Sequence, residues 1–211
     1  MILDFGNGFF LRPATAADHE ALSMICLKTG DAGEDATARE DDPGLMGLVF
    51  AIPYRLFEPE LAFVVDSPSG VCGSLFGAVN TSSFNARLAE EWYPDLQRRV
   101  PDPGEDPEQW RGSDWVRRMI HNPDLAIPAA LDPYPSHGHI DLLPLARGQG
   151  VGRRAIAFLE DQFSRRGSTG YFMPVNSRNL KALRFYERIG LAALPPDSLP
   201  EDSVFVARRL P

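Results

Sequence analysis

Residues 137–154 read HGHIDLLPLARGQGVGRR, and the reading of this stretch decides the fold. His137, His139, Asp141 and Leu143 recur at every second position, so on a β-strand all four share one face. Pro144 has no N–H for a sheet ladder and marks where regular pairing fails. Gly148, Gly150 and Gly152 then alternate ahead of the amphipathic run RRAIAFLEDQFSRRG, which reads as a helix. Glycines so spaced remove the side chains that would keep a ligand from the backbone amides. The helix they open leaves its first N–H groups unpaired, with roughly half a positive charge at that end. Such a terminus suits a di-anion of the pyrophosphate kind.

Three phosphate-binding turns compete for this segment. A Walker loop needs Gly-Lys-Ser/Thr, and no lysine lies here. A dinucleotide-binding turn needs G-x-G-x-x-G and an acid about twenty residues on, at the end of the next strand. The spacing here is G-x-G-x-G, and the next strand, Tyr171 to Val175, carries no acid. That disfavours an NAD(P)-dependent oxidoreductase. The third form is R/Q-x-x-G-x-G/A, and Arg147, Gly150 and Gly152 fit it. In that turn the segment resembles the GNAT N-acetyltransferase superfamily.

Outward from this centre, 211 residues suit one generous domain, spanning 1–211, with a helical insertion at about 83–135. Apolar residues make up 44%, ordinary for a globular chain, and none of their runs approaches the roughly 20 that cross a bilayer. MILDFGNGFFLRP has neither the basic start nor the cleavage site of a signal peptide. Cys26 and Cys72 form no disulfide framework and have no metal-site spacing, so no metal is expected. A cytoplasmic protein without membrane partners is the expectation. A net charge of −8 argues against general nucleic-acid affinity and mildly favours cationic substrates.

In chain order, the pattern predicts a strand at 9–12 and a helix at 16–28 behind a Thr15/Asp18 capping box. A polar, acidic loop follows at 30–42, read either as solvated surface or as a lid over the substrate. A second helix runs from Pro43 and is ended or kinked by Pro53. Strands at 61–66 and 71–80 flank the turn Ser67-Pro68-Ser69-Gly70. Gly73 and Gly77 there indicate a bulge or close packing. Helices at 83–99 and 110–120 surround a proline- and acid-rich loop, and 127–136 is irregular. After the central strand and its helix come a strand at 170–175 and a helix capped by Asn176 or Ser177. That helix is closed by Gly190, and a last strand covers 204–208. The order predicts an α/β (α+β) fold, a mixed central sheet of about six to seven strands flanked by helices.

A second motif strengthens the resemblance. In VNSRNLKALRFYERIGL, Asn179, Ala182, Tyr186 and Gly190 reproduce the N-x-x-A-x-x-x-Y-x-x-x-G pattern that ends GNAT domains. More narrowly, LRPATAADHEALSMIC, FVVDSPSGVCGSLFGAVNTSSF, WYPDLQRR and PYPSHGHIDLL resemble the C-terminal acetyltransferase-like domain of animal O-GlcNAcase, as a free-standing bacterial homologue would. That domain is commonly described as a pseudo-acetyltransferase with a degenerate turn, whereas RGQGVG is intact here.

The resemblance implies a cleft for acetyl-CoA between two splayed strands. Leu142 and Leu143 would pair with the pantetheine, and the amides of Gly148, Gln149, Gly150, Val151, Gly152 and Arg153, with Arg147, would hold the pyrophosphate. Asn176, Asn179, Phe185 and Tyr186 would line the arm. It implies Tyr186 as the acid for the departing thiolate and the Leu143 amide as oxyanion donor. Asp141 and His139, ranked above His137, are the candidate proton acceptors. Paired histidines here resemble those of serotonin N-acetyltransferase. Acceptor recognition falls to the insertion and the acidic loop, with Glu90, Trp92, Asp114 and Trp115 available. The partners expected are acetyl-CoA and a primary amine, small molecule or lysine, and a homodimer is compatible with this reading. The alternative is a non-catalytic acetyl-CoA-binding or interaction module.

Overall fold

A computed structural model describes residues 1–196, 199–200 and 202–211. Eight strands form one sheet in the order β1-β2-β3-β4-β5-β6-β8-β7. They are β1 (Leu3–Gly6), β2 (Phe9–Pro13), β3 (Ala62–Ser67), β4 (Gly70–Ala78), β5 (Ser136–Leu142), β6 (Gly170–Asn176), β7 (Ala192–Ala193) and β8 (Ser203–Arg209). Neighbours are antiparallel throughout except β5 and β6, which are parallel. The sheet is thus larger than the six to seven strands expected. β1 is folded back by a turn with Asn7 and Gly8 both at positive φ, and β7 pairs through only two residues.

Helices cover both faces. On one lie α1 (His19–Thr29), α2 (Leu45–Phe50), α3 (Ile52–Phe57), α4 (Thr81–Arg87), α5 (Tyr93–Arg99) and α6 (Asp114–His121); on the other lie α7 (Val151–Arg165) and α8 (Leu180–Arg188). Strand alternation sorts the core accordingly. Leu75 joins Ile156, Leu159 and Phe163 under α7, while Phe76 and Ala78 join Leu22, Cys26 and Leu96 on the opposite side. Gly77 and Gly138 are paired across β4 and β5, and a Cβ on either would stand 2.8–2.9 Å from Leu159. Close approach of α7, not a bulge, is what Gly77 serves.

Several helix limits differ from expectation for identifiable reasons. The helix from Pro43 begins only at Leu45 and breaks at Ala51, whose φ of −133° and ψ of −54° are not helical. Pro53 sits in the first turn of the next helix, where a missing N–H costs nothing. Asn80 caps α4 by accepting from the Ser83 N–H at 2.9 Å. The run then passes through a π turn at Leu88–Trp92 before α5, because Pro94 can neither donate nor clear the carbonyl four residues back. The last helix starts at Leu180, capped by Asn179 instead of Asn176 or Ser177. Gly190, at φ +88°, follows it as predicted.

Candidate active site

β5 and β6 pair only at Ser136↔Tyr171 and His137↔Phe172 and then part. β5 stays bound to β4 through Leu142, and β6 to β8 through Asn176. The opening between them is lined by the exposed Pro174, which has no N–H to offer a neighbouring strand. A cavity of about 690 Å³ reaches from this opening under α1, α2 and α6. His137, His139, Asp141, Asn176, Asn179 and Tyr186 all line it.

The register of β4 against β5 fixes which amides face the opening. The N–H of Leu143 donates to the Cys72 carbonyl at 2.9 Å, so the odd-numbered residues of β5 turn their amides toward β4. By alternation the amides of Ile140 and Leu142 point into the opening. The oxyanion role expected of Leu143 is therefore closed to it.

The two histidines behave differently. His137 is buried, its ring edge-on to Tyr54 and Phe84. Its Nδ1 lies 2.9 Å from Thr81 Oγ1, which itself donates to the Pro135 carbonyl, so Nδ1 carries the proton. Nε2 then accepts from the Tyr54 hydroxyl at 2.8 Å. Burial, with His139 nearby, pushes the imidazole down to about 3. It stays neutral with both nitrogens engaged, which removes it as proton acceptor.

His139 lies 2.8 Å through Nε2 from Asp141 Oδ2, and the two side chains keep 28% and 20% of their accessible surface. A carboxylate only accepts, so Nε2 carries the proton and Nδ1 keeps its lone pair. Burial alone would lower this imidazole, but the charge and hydrogen bond of Asp141 outweigh it, and the net shift is upward from 6.5. Tyr186 is buried beside Asp141, and burial, then that negative charge, raises its phenol well above 10. Cys26 lines the same cavity, but burial and Asp141 hold its thiol protonated and far from nucleophilic.

The glycine turn has the geometry of an anion cradle. Gly148 and Gly150 adopt φ of +73° and +77°, and a Cβ on either would meet nothing within 4 Å. The first helical bond in α7 runs from the Arg154 N–H to the Gly150 carbonyl, leaving the amides of Val151, Gly152 and Arg153 outside the ladder. Gly152 has a different use: a Cβ there would lie 3.2 Å from the Phe185 ring. Arg147 does not face this cradle with all its donors. Its Nε binds the Leu142 carbonyl at 2.7 Å and its Nη2 the Gly33 carbonyl at 2.8 Å.

Gly33 belongs to the acidic loop, which spans from α1 to the start of α8. Asp31 pairs with Arg178 at 2.8 Å and Glu34 with Lys181 at 2.7 Å. The loop's charges are thus partly spent on α8 instead of facing water alone. Asn179 uses Oδ1 to cap α8, accepting from the Ala182 N–H at 3.0 Å, while Nδ2 abuts Gly33.

Comparison with known proteins bears on this arrangement. The model described as the acetyltransferase (GNAT) family matches residues 89–191. The crystal structure of SsHAT is 32% identical, superimposes with a TM-score of 0.86, and covers 96% of this chain and 98% of its own. The chain belongs to the GNAT acetyltransferase family. A GNAT phosphinothricin acetyltransferase from Sinorhizobium meliloti, solved with acetyl-CoA, shares the fold at 14% identity and a TM-score of 0.54, over 96% of this chain and 89% of that one. The O-GlcNAcase of Rattus norvegicus is 23% identical over 204 residues, 96% of this chain. The chain spans about a fifth of that relative's length (22%).

Within this GNAT fold, the cavity is lined by residues that sequence reading missed. Met46, Phe50, Tyr54, Trp110 and Arg118 line the cavity, beside the anticipated Trp115. Of the other candidates, Trp92 is turned to the Leu48 carbonyl at 2.8 Å and Asp114 is paired with Arg117 at 2.9 Å. Arg118 has no signal in sequence beyond a charge on a helix with a strong apolar stripe. No helix of the described chain is long and apolar enough to cross a membrane.

Proposed function

We propose that this GNAT acetyltransferase transfers the acetyl group of acetyl-CoA to a primary amine by direct attack. The observation that carries the reading is the convergence, on one cavity, of the His139–Asp141 pair, the Tyr186 phenol and the backbone of Ile140, whose amide is turned away from β4. Acetyl-CoA supplies the acetyl group as a thioester together with a thiolate leaving group. Its pyrophosphate matches the cradle of Gly148, Gln149, Gly150 and the free amides of Val151, Gly152 and Arg153. Asn176, Asn179 and Phe185 flank the route from that cradle to Tyr186.

His139 Nδ1 takes the proton of the attacking amine, and Asp141 stabilises the imidazolium that results. The amides of Ile140 and Leu142, turned away from β4, serve as donors to the developing oxyanion, each such donor being worth roughly 3 kcal/mol elsewhere. A phenol is already protonated at neutral pH, and Tyr186 gives that proton to the thiolate as the C–S bond breaks; the phenolate left behind, which burial and Asp141 disfavour, is reprotonated from solvent. The high pKa of Cys26 disfavours an acetylated cysteine on the way.

Calorimetry with acetyl-CoA and turnover on a panel of primary amines test the proposal. Tyr186→Phe should lower kcat by roughly 10²-fold while leaving acetyl-CoA affinity within about twofold. Tight binding without turnover on any amine at any pH would establish a binding module instead.

A further inference from the structure

The walls of the cavity restrict what kind of amine can be bound. Its acceptor half is made by α1, α2, α4, α6 and the segment around Trp110, and it is apolar and aromatic: Met46, Val49, Phe50 and Leu88, with Trp110 and Trp115. Phe50 and Trp115 lie 6.3 Å apart between centroids with their planes inclined by 29°. Apart from the His139–Asp141 pair, and Asp202 beside the end of β6, Arg118 is the only ionised side chain among the described residues lining the cavity.

The surrounding acids do not change that balance. Asp41 and Asp114 are spent on Arg117 at 3.1 and 2.9 Å, and Glu40, which is not among the lining residues, accepts the indole N–H of Trp115 at 2.9 Å through Oε1 while its Oε2 is buried without a partner. Arg118 itself is only loosely held. Glu105 stands 3.4 Å and Asp102 3.9 Å away, and these acids are 88% and 48% exposed. Exposed pairs of that kind contribute little, so an anion on a bound molecule can replace them. Among the described residues no carboxylate lines the acceptor half, so a polycation would meet Arg118 with no lining acid to hold its second charge. A neutral apolar amine would leave Arg118 facing the cavity without a partner in it.

We infer that the acceptor is an amine that also bears an anion: a primary amine on an apolar or aromatic body with a carboxylate, the amine at His139 and the carboxylate at Arg118. This rests on the acetyltransferase reading above. Arg118 is then a specificity-determining residue whose guanidinium forms a charge-assisted pair with the substrate.

Calorimetry of the full chain with coenzyme A present separates the two readings, because it measures binding without turnover. The probes are phenethylamine, its ring-carboxylated analogue 4-(2-aminoethyl)benzoic acid, phenylalanine, and the diamine putrescine. At least one carboxylated amine should bind roughly tenfold or more tightly than phenethylamine, and Arg118→Gln should erase that ratio. Arg118→Lys should restore part of it, which distinguishes charge recognition from a folding defect. Equal or tighter binding of phenethylamine or putrescine, a ratio unchanged in Arg118→Gln, or binding of none of the four overturns the inference. Carboxylate-selective binding with no acetylated product would leave the inference standing and sink the transferase reading instead.

Discussion

His137 and His139 stand two residues apart on the same face of β5, at the closed and the open end of one cleft. At the closed end, Tyr54 from α3 and Thr81 and Phe84 from α4 wrap the ring and use both its nitrogens. At the open end the partner is Asp141, from the same strand, and one nitrogen is left over. The first imidazole is driven down to about 3 and the second upward from 6.5. The same side chain on the same strand thus becomes a neutral ring with both nitrogens engaged, or one with a nitrogen left over and a raised pKa, according to which elements cover it.

That contrast can be broken from the outside in. The largest effect is expected at the cradle. Gly150→Glu puts a carboxylate where the anion belongs and forces a side chain onto φ +77°, so acetyl-CoA affinity should fall by roughly a hundredfold or more. Gly150→Ala carries the backbone strain without the charge and separates the two causes in calorimetry. Unchanged affinity in Gly150→Glu would detach the cradle from the cofactor.

Next in size is the carboxylate that distinguishes the open end. The raised pKa of His139 means that kcat/KM should climb as pH rises through a value above 6.5, where the acceptor nitrogen becomes free. In Asp141→Asn burial is left unopposed, so the rising limb should move below 6.5 and the plateau should drop roughly tenfold or more. A pH–rate profile in which the limb stays put would dissociate the pair from the chemistry.

The smallest effect belongs to the closed end and appears in stability. The unfolded chain protonates His137 near 6.5 and the folded chain only near 3, so acidification favours unfolding across that window. Its contribution is intact above pH 6.5 and is lost by up to about 1.4 kcal/mol per pH unit as pH falls toward 3. His139 has the opposite sign: its contribution is full below 6.5 and fades as pH rises through its raised pKa. His137→Gln should cost about 1 kcal/mol at neutral pH, change kcat no more than a few-fold, and flatten the acid side of the stability curve. Denaturant titrations at several pH values measure this.

The cofactor side was legible in the sequence because its signals are local. Strand, proline, glycine turn and helix follow each other within 137–154, and Asn179, Ala182, Tyr186 and Gly190 lie on one short helix and its ends. The rest of the cavity lining was not, since Met46 and Phe50, Trp110, and Arg118 come from three separate segments that only the tertiary fold brings together. Period-two reasoning put His137, His139 and Asp141 on one face correctly, but could not see that α3 and α4 would close over the first of them. The Leu143 amide was assigned wrongly for a related reason: which alternate amides face which neighbour depends on the register with β4, and sequence periodicity is blind to it. The breaks at Ala51 and Leu88–Trp92 lie inside runs whose apolar spacing continues across them.

The parting of β5 from β6 has one more consequence. Amides held by β4, those of His139, Asp141 and Leu143, lie in an intact ladder, while those of Ile140 and Leu142 have lost their neighbour on the other edge. In heavy water this strand should therefore take up deuterium at every second residue, and a molecule seated in the gap would silence those alternate positions alone.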